Sequence, residues 1–336
     1  MDELGKVDRD FFDSILYPNL GAAADDVVLG PRHGVDFGVV EVGGQAVVLA
    51  TDPLSVLLDL GVDRAARFAL DVVLADVAVS GIAPSHLSVT LTLPAEMPDD
   101  TVAALWRAMA DHARDLGVRI IAEHVGRYPG VDASWVGGAT AIGVGHRDAV
   151  VRPDGARPGD ALVVSTGPAA EVAGLFSSLF PDQLGLSAST LRTARQRLDD
   201  VGSVRDAIAA VDAGEVTAMH DATEGGVVGG LIEMARGAGV RFDVDSTRVP
   251  LAPGVEAVCD AIDVDPWHVT SAGTLLVAVD ADDADAVVDA LARRGTPAAV
   301  VGTVSSGEGV FVDGESVEPP ASDPSWAAFA ALADES

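Results

Sequence analysis

A chain of 336 residues, 49% of them hydrophobic, exceeds what one core usually organises and has the apolar content for two domains of about 150 residues each. Its formal net charge of −31, from 52 acidic against 21 basic residues spread along the chain, argues against unaided nucleic-acid binding, and with Lys6 as the sole lysine the phosphate loop G-x-x-x-x-G-K-[ST] is excluded. The single cysteine, Cys259, excludes an intrachain disulfide or a cysteine zinc cluster, and no apolar run reaches the roughly 18 residues that cross a bilayer.

In chain order, residues 1–12 (MDELGKVDRDFF) carry acids where a signal peptide has a basic and then an apolar region, so a cytoplasmic protein is expected. The glycine-spaced segment Gly30 to Gly38, GPRHGVDFG, precedes an apolar strand. Polarity alternation and β-branched residues predict strands over 46–51, 86–93, 118–123 and 135–144. Helical spacing of apolar residues predicts helices over 64–80 and 99–116, the first stopped by Gly81 and Pro84. VVRPDGARPGD then breaks the pattern and places a domain boundary at Val150. Beyond it, strands are expected at 161–165, 240–244, 273–279 and 298–303, with helices at 168–180, 225–237, 254–262 and 282–294. Strands and helices do not alternate strictly, so the fold class is α+β, in two domains over 1–150 and 151–325, with an acidic tail over 326–336.

An even acidic excess with almost no lysine matches a protein adapted to high salt, where screening suppresses self-repulsion and a hydrated acidic surface stays soluble. Dialysis into low salt is therefore expected to loosen the fold and lower the melting temperature. An unchanged melting curve contradicts this reading.

Neither an H-E-x-x-H zinc motif nor a G-x-S-x-G nucleophile elbow occurs. Any polyphosphate chemistry must rest on Mg²⁺ held by carboxylates, on backbone amides and on arginine. Asp36 in the glycine-spaced segment, Asp52 with Thr51 at a strand end, and Asp76 near a helix end suit Mg²⁺, which takes a few protein oxygens and completes its shell with water and phosphate. Taken singly, each reads first as a cap, a turn residue or a surface acid. His220-Asp221-Ala222-Thr223-Glu224-Gly225-Gly226 precedes a glycine-rich helix, whose first amides are a natural seat for an anion. The bland alternative makes Thr223 a cap and gives the glycines to helix packing. Ala122 to Arg127 and the pair Gly137-Gly138, with Thr140 close behind, read equally as a ligand-contacting strand end or as a β-bulge.

These segments, in this order, resemble the superfamily of aminoimidazole ribonucleotide synthase, which also holds thiamine-monophosphate kinase, selenophosphate synthetase and the hydrogenase maturation protein HypE. GPRHGVDFGVV resembles its G-[DE]-D-A-A-V segment, Thr51-Asp52 its T-T-D strand end, and Ala75-Asp76 with Val79-Ser80-Gly81 its N-D-L-A-x-x-G helix. HDATEGG matches the HypE form H-D-x-T-E-G-G, VDPWHVTSAGTLLVAV resembles the segment ending S-S-G-x-L-L, and ARPGDALVVSTGP resembles the strand that opens the second domain. The resemblance implies a homodimer whose N-terminal strands form a barrel-like interface, while the charge and the lack of a spanning apolar run lead us to expect no nucleic-acid or membrane partner.

It implies ATP and Mg²⁺ as cofactors, with the metal on Asp36, Asp52, Asp76 and Asp221. Nucleotide would meet Gly34, Asp36, Thr51, Asp52, Gly137, Gly138, Thr140, Gly225 and Gly226, and catalysis would fall to Asp221, Glu224, His124 and Arg127. Ala75 stands where the family has asparagine, Val35 where it has an acid, and AEHVGR where several members carry G-G-D-T. HypE works through a C-terminal cysteine, whereas this sequence ends in ALADES. The implied function is an ATP-dependent small-molecule kinase or dehydrating synthase without cysteine chemistry. A non-catalytic nucleotide-binding paralogue and thiamine-monophosphate kinase are the alternatives, and Cys259 reads as a buried small hydrophobe.

Overall fold

The structure is a computed structural model that describes residues 5, 7, 9–131 and 135–334. Lys6 and the last two residues of the expected tail, Glu335 and Ser336, lie outside the described residues. Short helical turns begin the chain at Arg9–Phe11 (α1). The first half continues with β1 (Val27–Leu29), β2 (Gly38–Val42), β3 (Gln45–Ser55), α2 (Val62–Ala78), β4 (Pro84–Pro94), α3 (Asp99–Asp115), β5 (Arg119–Tyr128) and β6 (Trp135–His146). Its strands form one six-stranded sheet in the order β1-β2-β3-β6-β4-β5, antiparallel except for the β4/β5 pair, which α3 connects.

The second half begins with β7 (Ala161–Ser165), α4 (Ala170–Leu179), α5 (Ala188–Arg195), α6 (Val204–Ala213), β8 (Val216–Asp221) and α7 (Gly226–Ala238). It continues with β9 (Val240–Val244), α8 (Val255–Ala261), β10 (Leu275–Val279), α9 (Ala284–Arg294), β11 (Ala298–Ser306), β12 (Gly309–Val312), β13 (Glu315–Val317) and α10 (Pro324–Asp334). Its seven strands run in the order β13-β12-β9-β11-β7-β10-β8, again antiparallel apart from β12 beside β9. Two sheets with helices on their faces make the α+β class of the sequence reading. Among the described residues no helix is long and apolar enough to cross a membrane.

The halves share a core. Strand side chains alternate between faces, and in β10 Leu275, Val277 and Val279 join a cluster with α2 and the first sheet, while Leu276 and Ala278 pack with α7 on the opposite face. Helix α2 lies almost wholly inside that shared cluster and carries two buried acids, Asp71 and Asp76. Asp71 is satisfied by His112 Nε2 at 2.7 Å. Asp76 belongs to the site described below.

The expected acidic tail is corrected. Residues 324–334 form α10, whose Ala328, Phe329 and Leu332 pack against a third cluster containing Phe176 and Phe180. The apolar run WAAFAAL outweighs the acids around it, because burying such side chains is worth about 1.5–3 kcal/mol each for the larger ones.

Glycine at position 137 is dictated by strand packing. Its φ is +127°, and a Cβ there would lie 1.9 Å from the Thr90 carbonyl oxygen on β4. Gly137→Ala is expected to cost about 3 kcal/mol or more, read by urea unfolding. A loss below about 1 kcal/mol would mean that β6 does not approach β4 as described.

Candidate functional site

Four aspartates separated in sequence converge where the two halves meet. Asp36 precedes β2, Asp52 sits towards the end of β3, Asp76 lies in the last turn of α2, and Asp221 is the last residue of β8. Burial holds the Asp76 carboxyl well above its ordinary range. The charges of Asp221, Asp52 and Asp36 and a hydrogen bond with Asp52 push it further in the same direction.

One cation stands among these acids. Burial would lower the pKa of His220, but the charge of Asp36, the hydrogen bond and charge of Glu233 and the charge of Asp221 outweigh it and carry the ring to about 10. As an imidazolium, His220 donates from Nδ1 to the Asp221 carbonyl oxygen at 2.6 Å and from Nε2 to Glu233 Oε2 at 3.1 Å. Its Nε2 also lies 3.4 Å from Asp36 Oδ2.

Ligand atoms of Asp36, His220 and Asp221 lie within 4.8 Å of one another, close enough to hold a metal ion. Both nitrogens of the histidine are engaged as donors, so the carboxylates are the better donor set and His220 is their counter-charge. An all-oxygen set of mutually repelling carboxylates fits a hard divalent cation such as Mg²⁺, which would relieve the burden that raises Asp76.

The site opens into a cavity of about 590 Å³. Asp36, Thr51, Asp52, Asp76, Thr223 and Glu224 line its polar side, and aromatic and aliphatic side chains from α2, α4 and α10 line the other. Among the described residues no arginine, lysine or histidine lines it. A second cavity of about 430 Å³ beside β9 and β11 contains none of the four aspartates. Asp243 there is already paired with Arg241, and Asp313 with Ser246.

Other expected site residues have different occupations. Gly34 packs on α7, where a Cβ would lie 2.9 Å from Glu233 Cβ. Thr140 donates to Thr51 Oγ1 at 3.2 Å and so supports a cleft residue without lining the cleft itself. Gly137 and Gly138 serve strand packing, since a Cβ on Gly138 would lie 3.1 Å from the Asp52 carbonyl oxygen. The expected anion seat at the start of α7 is corrected: the Gly225 amide donates to Asp323 Oδ2 at 2.9 Å, and the Gly226 amide donates to the Thr223 carbonyl at 2.9 Å. The anion there is the chain's own carboxylate. Nor is Thr223 the cap, because Gly225 takes that position in the left-handed region.

His124 and Arg127 do not reach the cleft of their own chain. They lie on β5, separated from β3 by β4 and β6. Arg127 donates to the Met97 carbonyl oxygen at 2.9 Å and pairs with Asp99 at 2.6 Å, and His124 Nε2 is 2.8 Å from the Tyr128 hydroxyl. The strand runs on to Tyr128, past its expected end at Glu123.

Sequence reasoning passed over His220 as a site residue, although it stood inside the quoted motif, and missed Glu171 entirely. Glu171 is the one acid of α4, a helix whose first eight residues are all buried. An acid inside so apolar a run is a legible signal of a held or functional group.

Two family models match the chain: the AIR synthase related protein N-terminal domain over residues 34–145 and the C-terminal domain of the same family over residues 157–315. Carbamoyl dehydratase HypE of Azotobacter vinelandii is 31% identical over 288 residues, 80% of this chain and 78% of that protein. The HypE of Rhizobium leguminosarum bv. viciae is 28% identical over 301 residues, 84% of this chain and 80% of that protein. The crystal structure of E. coli HypE, a hydrogenase maturation protein, matches with a TM-score of 0.73 and 25% identity over 83% of this chain and 87% of that one. Thiamine-monophosphate kinase from Stenotrophomonas maltophilia K279a shares the fold, at a TM-score of 0.69 and 22% identity over 87% of this chain and 93% of that one. With both domain models matched in order, the chain belongs to the AIR synthase related protein family.

Proposed function

We propose that the chain is an ATP- and Mg²⁺-dependent enzyme that passes the terminal phosphoryl group of ATP to an oxygen of a small acceptor, as a kinase or as the activating step of a dehydrating synthase. The observation that carries this reading is the convergence of Asp36, Asp52, Asp76 and Asp221, the first three of them lining a cavity that, among the described residues, no cationic side chain lines. Support comes from related structures, a HypE in complex with ATP and a thiamine-monophosphate kinase complexed with AMPPCP and TMP.

The four aspartates would hold Mg²⁺, which supplies the neutralisation of phosphate charge that the lining side chains cannot. His220 keeps Asp36 and Asp221 oriented through its ring nitrogens. The Thr51 hydroxyl on the cleft wall donates its one proton to the Ala139 carbonyl oxygen at 3.1 Å and accepts from Thr140 Oγ1 at 3.2 Å, so it would have to turn from Ala139 to donate to a phosphate oxygen. Glu224 lines the cleft beside Thr223 and would accept the proton of the acceptor hydroxyl.

Thiol chemistry finds no support in this cleft. Cys259 is buried in α8, burial and the charges of Asp260 and Asp265 push its thiol to about 12, and it does not line the cavity.

A homodimer is part of the proposal. Edge strand β5 exposes Ile121, Val125 and Tyr128, while Val42, Trp135 and Val144 of the same sheet are also exposed. An unpaired, apolar edge strand is a template for a second copy. His124 and Arg127 would then reach a cleft across the interface.

The test is ADP formation from Mg·ATP in high salt with a panel of phosphate esters and amides. Turnover that requires Mg²⁺ and one class of acceptor is expected. Binding of Mg·ATP without turnover on any acceptor would favour the non-catalytic reading, to which the Asp323 carboxylate already on Gly225 lends weight. No binding at all would refute both.

A further inference from the structure

The apolar end of the cleft carries one acid that metal and phosphate do not use. Glu171 is 7% exposed and lines the cavity together with Phe176, Trp326 and Phe329. Its Oε2 accepts hydrogen bonds from Thr270 Oγ1 at 2.7 Å and from the Ala272 amide at 2.8 Å. Among the described residues Oε1 accepts none. Burial raises the pKa of this carboxyl, the Thr270 and Ala272 hydrogen bonds pull it back, and Asp323 and Glu224 add to the rise.

The surroundings hold this position firmly. Thr166 and Ala169, in the turn that leads into α4, hold left-handed φ angles of 61° and 56°. The Ala169 amide donates to Ser271 Oγ at 2.8 Å, and Thr274 Oγ1 donates to the Gly167 carbonyl oxygen at 2.7 Å. One loop, residues 270–274, therefore fixes both the turn before Glu171 and its carboxylate. Such strain persists only where surrounding contacts over-determine it.

An acceptor oxygen on a cavity wall that takes no donor from the protein is open to the N–H of a ligand. The neighbouring acids repel an anionic group, and the aromatic walls select a flat apolar one. We propose that Glu171 is a specificity-determining residue, whose open carboxylate oxygen receives the N–H of an amino group carried on a flat apolar body seated among Phe176, Trp326 and Phe329. The inference rests on the proposed function only in placing ligands in this cleft. Two sources share the chemistry, the base of the nucleotide and the acceptor itself.

The experiment uses probes that carry neither phosphate nor metal. Binding to the full chain in high salt is measured by ligand-observed NMR for adenosine against inosine and for 4-aminopyrimidine against 4-hydroxypyrimidine. The wild type should prefer the amino member of at least one pair by about tenfold or more. Glu171→Gln should abolish that preference, since its carbonyl can keep the Thr270 and Ala272 hydrogen bonds while an NH₂ group replaces the open oxygen. Preference within the nucleoside pair assigns the base, and preference within the pyrimidine pair assigns the acceptor. No preference in either pair with the wild type overturns the inference even if the variant does not fold, and so does a preference that survives in a folded E171Q. Because Mg·ATP is absent, failure here leaves the metal site standing, and failure of Mg·ATP binding leaves this result readable.

Discussion

Asp52→Asn is expected to weaken Mg·ATP binding by about 100-fold or more, equivalent to ~2.7 kcal/mol, while the protein stays folded. Asp52 lines the cavity and is the side chain to which Asp76 hydrogen-bonds, so the substitution removes one formal charge from the metal site and disturbs a second ligand. Its backbone pairs with Ala139 in the middle of the sheet, and asparagine fills nearly the same space, so the strand has no reason to move. Calorimetric titration of the variant in high salt checks the affinity, and circular dichroism checks the fold. Binding at wild-type strength in the D52N protein would remove the carboxylates from the nucleotide site.

Asp76→Asn should separate stability from function in opposite directions. The Asp76 carboxyl is raised above its unfolded value by burial and by three neighbouring acids. A raised carboxyl favours folding fully only below the unfolded pKa, and that contribution is lost as pH rises through the folded pKa. As pH rises above the unfolded pKa the metal-free wild type therefore loses stability that a neutral asparagine keeps, and the D76N variant should become the more stable by about 1–2 kcal/mol. The gap should widen from acid to neutral pH. His220, raised to about 10, imposes its own loss of stability as pH rises towards that value, so the slope to read is the difference between variant and wild type. Adding Mg·ATP should stabilise the wild type by mass action and leave the variant unmoved, reversing the order of the melts. A destabilised D76N protein in the absence of metal would show that Asp76 is structural.

Much of the first sheet is legible in sequence because β3, β4 and β6 alternate between a more buried and a more exposed face along much of their length. Strand β8 is hidden because it ends in the site residues His220 and Asp221, whose polarity reads as a turn although both are buried. Helix α10 is hidden by the acids that flank its apolar residues.

Asp36, Asp52 and Asp76 carry no signal singly in a chain with 52 acidic residues, and only their order beside glycines, as in the resembling family, marks them. The partnership of Asp323 with Gly225 and the hold of residues 270–272 on Glu171 span 98 and about 100 positions, so no local pattern reports them. The glycine pair at 137–138 shows the reverse error. A glycine marks a close approach, but here the approaching group is the neighbouring strand and not a ligand.

The most direct measurement is a crystal structure of the protein grown in high salt with Mn²⁺ and a non-hydrolysable ATP analogue, with anomalous scattering used to place the metal. The account predicts metal density bridging the analogue's phosphates to oxygens of Asp36, Asp52, Asp76 and Asp221, at about 2.0–2.2 Å from the ligating oxygens. Metal and phosphates bound elsewhere, with these four carboxylates unligated, would contradict it.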